Sequence, residues 1–323
     1  MMFPKDRMRR RRASERIRNM LTETRLHPDD LVLPLFFNEA LDSVRYTGSM
    51  PGVPTYPLSD AEKVAERLHS SGINAVLLFG IPGHKDPEGS GAYSADGVVQ
   101  KAIRKIEASS DLLVIADLCM CEYTDHGHCG IMSGGGVDND LTLAQYGKIA
   151  KSLADAGAHM VAPSGMMDGQ VLRIREALDG SGHRDIPIMA YSSKFCSSFY
   201  GPFRDIAHSA PSVCGREAYQ MNPANGREAM SEIQRDIEEG ADIIMVKPAM
   251  PYLDVIRQAK SEFRIPIAAY QVSGEYAMIK AAAANGWLDE RRTMMESLIS
   301  IKRAGADILI TYFAEDILKE LVR

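Results

Sequence analysis

Along this chain, short apolar runs alternate with longer stretches in which apolar positions recur every three or four residues. The runs lie at Leu31–Phe37, Ala75–Gly80, Leu112–Leu118, His159–Ser164, Ile186–Lys194, Asp242–Pro248, Pro266–Gly274 and Asp307–Phe313. Each has strand length and is close to continuously apolar, the pattern of a strand buried on both faces. Ala61–Ser70, Leu143–Asp155, Arg227–Glu238 and Glu290–Arg303 carry helical periodicity. A related lead-in follows each: Ser71-Gly-Ile-Asn-Ala, Ala156-Gly-Ala-His, Glu239-Gly-Ala-Asp and Ala304-Gly-Ala-Asp. Glycine suits the left-handed residue that closes a helix and lets the chain turn tightly into the next strand.

Eight candidate strands with intervening helices predict an α/β chain folded as a (β/α)8 TIM barrel over residues 31–323, behind an N-terminal arm, residues 1–30. A doubly wound open sheet is the alternative. No Gly-x-Gly-x-x-Gly follows an early strand, however, and the cluster Ser133-Gly134-Gly135-Gly136 reads as a flexible turn. Barrel chemistry collects at the carboxyl ends of the strands. There stand Asp117 and Cys119, Ser164, Lys194, Lys247, Ser273 and Tyr312, which closure of the sheet would bring around one mouth.

Two of these are lysines at the ends of apolar strands, Lys247 immediately before Pro248 and Lys194 at the end of Ile186–Lys194. An isolated lysine there snorkels to solvent. A pair on neighbouring strands is different, because burial and a like charge both disfavour the ammonium, and a neutral amine can attack a carbonyl. One such lysine indicates a Schiff-base enzyme; two indicate that two carbonyl substrates are held at once.

Composition narrows the setting. With 323 residues, 45% hydrophobic and 25% charged, the chain has an ordinary globular balance. No apolar run reaches membrane-spanning length, and the arginine-rich start lacks the apolar core of a secretory signal, so the expected compartment is the cytoplasm. Net charge is −6 although the first 19 residues are strongly basic. The acidic body is a poor nucleic-acid surface, and the basic arm reads as a clasp for an acidic neighbouring subunit.

Five cysteines do not make a disulfide framework, and three of them, Cys119, Cys121 and Cys129, fall within eleven residues. Three thiolates make a soft site that favours zinc and leaves a fourth position open. His126 and His128 are expected as loop residues or as groups that hydrogen-bond the ligands, and Cys196 and Cys214 have no partner at metal spacing. The long connection from Phe195 to Pro223, with its glycines, prolines and aromatics, reads as an active-site lid. Its Arg204 and Arg216 can each clamp a carboxylate, although either taken singly reads as a solvated loop arginine.

Met245-Val-Lys-Pro-Ala-Met-Pro-Tyr-Leu-Asp254, Tyr191-Ser-Ser-Lys-Phe, Phe199-Tyr-Gly-Pro-Phe-Arg204, Tyr219-Gln-Met-Asn-Pro, Tyr123-Thr-Asp-His-Gly-His-Cys-Gly130, Gly136-Val-Asp-Asn-Asp140 and Tyr270-Gln-Val-Ser-Gly-Glu275 together resemble the porphobilinogen synthase (5-aminolevulinate dehydratase) family. The resemblance implies condensation of two 5-aminolevulinate molecules to porphobilinogen with loss of two waters, a step of tetrapyrrole and heme biosynthesis. It implies Schiff bases on Lys247, for the substrate that becomes the propionate side, and on Lys194, for the acetate side. Ser273 and Tyr312 would hold the first carboxylate, and Arg204, Arg216 and Gln220 the second. Asp117 and Tyr200 would support the lysines, and Cys119, Cys121 and Cys129 would hold zinc. Glu232 matches a position where many bacterial members bind an allosteric magnesium through water. Arg7–Arg18 matches the segment that embraces a neighbour in homo-octamers. One departure stands out: the family commonly has Gly-Asp before the lid arginine, and here Cys214-Gly215 precede Arg216.

A one-lysine aldolase on a barrel and a zinc-stabilised nucleic-acid-binding protein are the competing readings. The first needs no cysteine triad. The second needs a salt-sensitive nucleic-acid surface, which the acidic body does not offer.

Overall fold

A computed structural model describes residues 6–212 and 214–321. Eight parallel strands form the barrel: β1 (Leu31–Asn38), β2 (Ala75–Ile81), β3 (Leu113–Leu118), β4 (Met160–Pro163), β5 (Met189–Lys194), β6 (Ile243–Lys247), β7 (Ile267–Gln271) and β8 (Ile308–Thr311). The hydrogen-bonded order runs β4-β3-β2-β1-β8-β7-β6-β5, and the Val161–Ile188 bridge joins its two ends. The open-sheet alternative is therefore set aside. Two short strands, Arg45–Tyr46 and Pro54–Pro57, extend the sheet beside β1.

The continuous apolar runs become strands because both faces are covered. Every residue of β1 and β2 is buried, between a barrel interior and outer helices, of which Val98–Glu107 packs on both strands and Ala314–Leu321 on β1. The lead-in glycines Gly72, Gly157, Gly240 and Gly305 all have positive φ, from 90° to 132°, so each closes its helix as the sequence predicts. In the Ser133–Gly136 cluster, Gly134 and Gly135 both have positive φ and turn a two-stranded hairpin.

Several strand ends fall short of the apolar pattern. The run predicted through Gly274 stops at Gln271, since Ser273 already opens the helix Ser273–Ala284. Ile186–Ile188 precedes β5 and joins the barrel only through the closing bridge. The arm holds a short helix, Glu15–Met20, and buries none of the residues from Asp6 to Met20. Met8, Met20 and Leu21 stand exposed on it. Among the described residues no helix is long and apolar enough to cross a membrane.

Candidate active site

The two lysines face each other across the β5–β6 ladder, Lys247 in register with Lys194. Both are buried, and both belong to one cavity at the carboxyl ends of the strands. Lys194 Nζ donates to the carbonyl of Ser164, just past β4. Lys247 Nζ sits among rings, 4.3 Å from the centre of Tyr270, 4.9 Å from Tyr191, 5.3 Å from Tyr200 and 5.5 Å from Phe203. Burial, and then the charge of Lys194, lower its pKa to about 7. Asp117 lies beside the pair. Ser164 Oγ donates to its Oδ2 at 3.1 Å, and its Oδ1 is buried without a partner among the described residues. Burial and the nearby Glu122 raise its pKa to about 7.

Tyr191 also belongs to this site, and strand alternation hides it. It lies three positions before Lys194, an odd spacing that puts two residues on opposite faces of a regular strand. Between Ile244 and Val246 the register shifts, and β5 spends one residue more than β6. That bulge brings the ring of Tyr191 to 5.6 Å from Lys194 Nζ, on the side where it also meets Lys247.

Past β3 the chain folds the three cysteines together. Cys119, Cys121 and Cys129 are buried, with all three sulfurs within 4.8 Å of one another. Hydrogen bonds from Cys119 and Cys121 hold the Cys129 thiol well below its usual pKa. Thr124 Oγ1 donates to the His128 carbonyl at 2.9 Å, and Tyr146 Oη to the Cys129 carbonyl at 2.6 Å. His128 Nδ1 lies 3.1 Å from Tyr219 Oη, and His126 accepts from the His128 N–H; neither ring belongs to the three-sulfur cluster. Cys214 adopts a left-handed φ of 35° and places its sulfur 3.6 Å from His128 Nε2. Cys196 is half-buried and outside the cluster.

The Tyr146 bond depends on a glycine. A Cβ on Gly165 would meet Tyr146 Oη at 1.6 Å. Gly165→Ala is therefore expected to cost about 1–3 kcal/mol by overpacking and to loosen the Cys129 carbonyl. A denaturant melt with unchanged stability would contradict this.

The lid closes over the cavity. Tyr200 Oη lies 2.8 Å from the Phe195 carbonyl and 3.1 Å from that of Lys247. Ser273 Oγ accepts from Phe203 N at 3.0 Å and donates to the Phe199 carbonyl at 3.2 Å. Tyr312 Oη lies 3.0 Å from Tyr270 Oη. Arg216 is buried and donates to the carbonyls of Gly127 and Ser209, joining the lid to the cysteine loop. Arg204 Nε and Arg216 Nε are buried without partners among the described residues. Lys85, which the sequence reading passes over, holds the lid at the His208 carbonyl, 2.6 Å away. The enclosed space is only about 20 Å³, room for little more than one water.

Gln220 and Glu232 lie elsewhere. Gln220 does not line the lysine cavity, and its amide is buried with neither Oε1 nor Nε2 partnered among the described residues. It borders a separate groove with Glu232, Asp168 and Glu228. Burial, and then Asp168 and Glu228, raise the pKa of Glu232.

The family profile described as "Delta-aminolevulinic acid dehydratase" matches residues 5–320. A protein of that name from Archaeoglobus fulgidus is 52% identical over 320 residues, 99% of each chain. Its namesake from Halalkalibacterium halodurans is 51% identical over 316 residues, 98% of this chain and 96% of that one. The crystal structure of delta-aminolevulinic acid dehydratase (porphobilinogen synthase) from Toxoplasma gondii, in complex with the reaction product porphobilinogen, superposes with a TM-score of 0.96. It is 42% identical and covers 99% of this chain and 92% of its own. A paired-lysine barrel matched over this length leaves one assignment: the chain belongs to the delta-aminolevulinic acid dehydratase family.

Proposed function

We propose that this enzyme condenses two molecules of 5-aminolevulinate to porphobilinogen with loss of two waters, using the amines of Lys247 and Lys194. The carrying observation is the pair itself, two buried lysines in register at one cavity. Near neutral pH much of Lys247 is unprotonated. Its amine attacks the ketone of the first substrate, and the carbinolamine so formed loses one water to give the Schiff base. Ser273 and Tyr312 hold that substrate's carboxylate, exchanging their present bonds to the lid and to Tyr270. Lys194 takes the second ketone, with Arg204 and Arg216 on its carboxylate and Gln220 joining once the lid rearranges. Asp117 is placed beside both amines to exchange protons with them, and Tyr200 fastens the lid to the strand end.

The cysteine cluster fits a soft cation. Its three sulfurs are close together, buried and adjacent to the lysine cavity, which Cys121 also lines. Zinc held by Cys119, Cys121 and Cys129 would supply a Lewis acid that polarises and orients the second substrate. Incubating the purified enzyme with 5-aminolevulinate and zinc tests the reading; absence of porphobilinogen would contradict it. A one-lysine aldolase and a nucleic-acid-binding protein have no observation in their favour.

The amine sets a pH dependence. A lysine with a lowered pKa is an inert ammonium below that value and a nucleophile above it. Single-turnover adduct formation at Lys247 is thus expected to fall about tenfold per pH unit below about 7. In Lys194→Met the like charge is gone, so the limb should move to higher pH; an unmoved limb would show that the amines do not interact.

Magnesium at the Glu232 groove, homo-octamers clasped by the arm, and residence in the cytoplasm complete the proposal. The clustered carboxylates support the first, and the exposed apolar residues of the arm support the second. Stimulation by magnesium should vanish in Glu232→Ala, and light scattering that showed only monomer would contradict the octamer.

A further inference from the structure

Glu275 is fully buried in the first turn of the helix Ser273–Ala284, yet it does not line the lysine cavity. Its Oε2 accepts from Val272 N at 2.6 Å and from Ala249 N at 3.3 Å, and its Oε1 accepts from Met250 N at 2.5 Å. The Val272 bond is local, the reach of an N3 glutamate back to its own helix cap. The other two are not. Ala249 and Met250 lie two and three residues past Lys247, on the loop that follows β6. A single carboxylate therefore ties the segment carrying Lys247 to the segment carrying Ser273. Glu275 makes no bond to the Lys194 strand end: the Lys194 carbonyl accepts from Met221 N at 3.1 Å, and the next residue, Phe195, donates its N–H to the Lys247 carbonyl at 3.0 Å.

Placing a carboxylate in the interior is costly unless its oxygens are satisfied, and here backbone N–H groups from both loops satisfy them. A helix cap alone does not require this arrangement. Glutamine serves equally well at that capping position, and the bonds to Ala249 and Met250 contribute nothing to the helix.

We propose that Glu275 is a positioning residue, whose carboxylate sets the separation between the Lys247 amine and Ser273 so that one substrate meets both. The assignment rests on the function proposed above and deepens it. Glu275→Gln keeps an oxygen for the cap but turns an amide NH2, which cannot accept, toward one of the backbone donors. Glu275→Asp keeps the charge and shortens the reach by one methylene.

The test uses full-length, zinc-loaded enzyme and both variants, each confirmed as folded by thermal melting. Samples are mixed with 5-aminolevulinate, quenched with borohydride over a time course, and mapped for reduced adducts at each lysine. Adduct formation at Lys247 should slow by about 10²-fold in Glu275→Gln, the scale of a 1 Å misplacement. At Lys194 it should keep the wild-type rate. Glu275→Asp should show the same asymmetry, since charge without reach does not restore the clamp, and it carries the comparison if the glutamine variant fails to fold. Wild-type rates at Lys247, or equal losses at both lysines, would overturn the assignment. Wild-type enzyme that forms no adduct at Lys247 removes the proposed function and this assignment with it. A wild-type adduct with symmetric losses in the variants removes this assignment alone.

Discussion

Lys247→Met is expected to lower porphobilinogen formation by about 10⁴-fold or more, the scale seen when a covalent nucleophile is removed. The substitution isolates the amine. Methionine keeps an unbranched apolar stem among Tyr191, Tyr200, Phe203 and Tyr270, and it removes a charge that burial disfavours. The fold should therefore survive with its stability unchanged or raised. Lys194→Met should also abolish turnover while still permitting a borohydride-trapped adduct at Lys247, the outcome expected if each amine takes its own substrate. Steady-state assays at saturating 5-aminolevulinate decide the point, and a Lys247→Met enzyme within tenfold of wild type would remove the central lysine from the mechanism.

Cys129→Ala is expected to lower both zinc content and turnover, the latter by about 10²-fold or more, because loss of a direct ligand should exceed the 10–100-fold typical of groups that only support one. Its sulfur is one of three brought within 4.8 Å, and its carbonyl is anchored by Tyr146. Chelation of the wild-type enzyme should have the same effect and be reversed by zinc in the presence of a thiol reductant. Metal analysis beside the activity assay separates the causes. Full activity in metal-free protein would show that the cysteine cluster does not serve the reaction.

The barrel was legible because burial on both faces writes a strand as an unbroken apolar run, and because four helices close on a glycine of positive φ, Gly72, Gly157, Gly240 and Gly305. The lysines and cysteines were legible for a related reason: charged or thiol side chains at the ends of such runs have few structural uses. Tyr191 was not legible, since only the β5 bulge turns it toward the lysines, and nothing local marks a bulge there. Nothing in the sequence gives Glu275 a role of its own; its hold on Ala249 and Met250 exists only once the ends of β6 and β7 are neighbours. Gln220 shows the opposite limit. Its place in a motif put it with the arginines proposed for the second carboxylate, whereas the structure sets it in the groove of Glu232. The strand predicted to Gly274 ran too far because Val272 continues the apolar pattern while the backbone is already turning into a helix.

The most direct test of the account is the map of reduced adducts after the wild-type enzyme is treated with 5-aminolevulinate and borohydride. The account predicts a modified Lys247, a second adduct at Lys194 as substrate is raised, and porphobilinogen in the untrapped control. A folded, zinc-loaded enzyme that shows neither adduct and forms no porphobilinogen would contradict it.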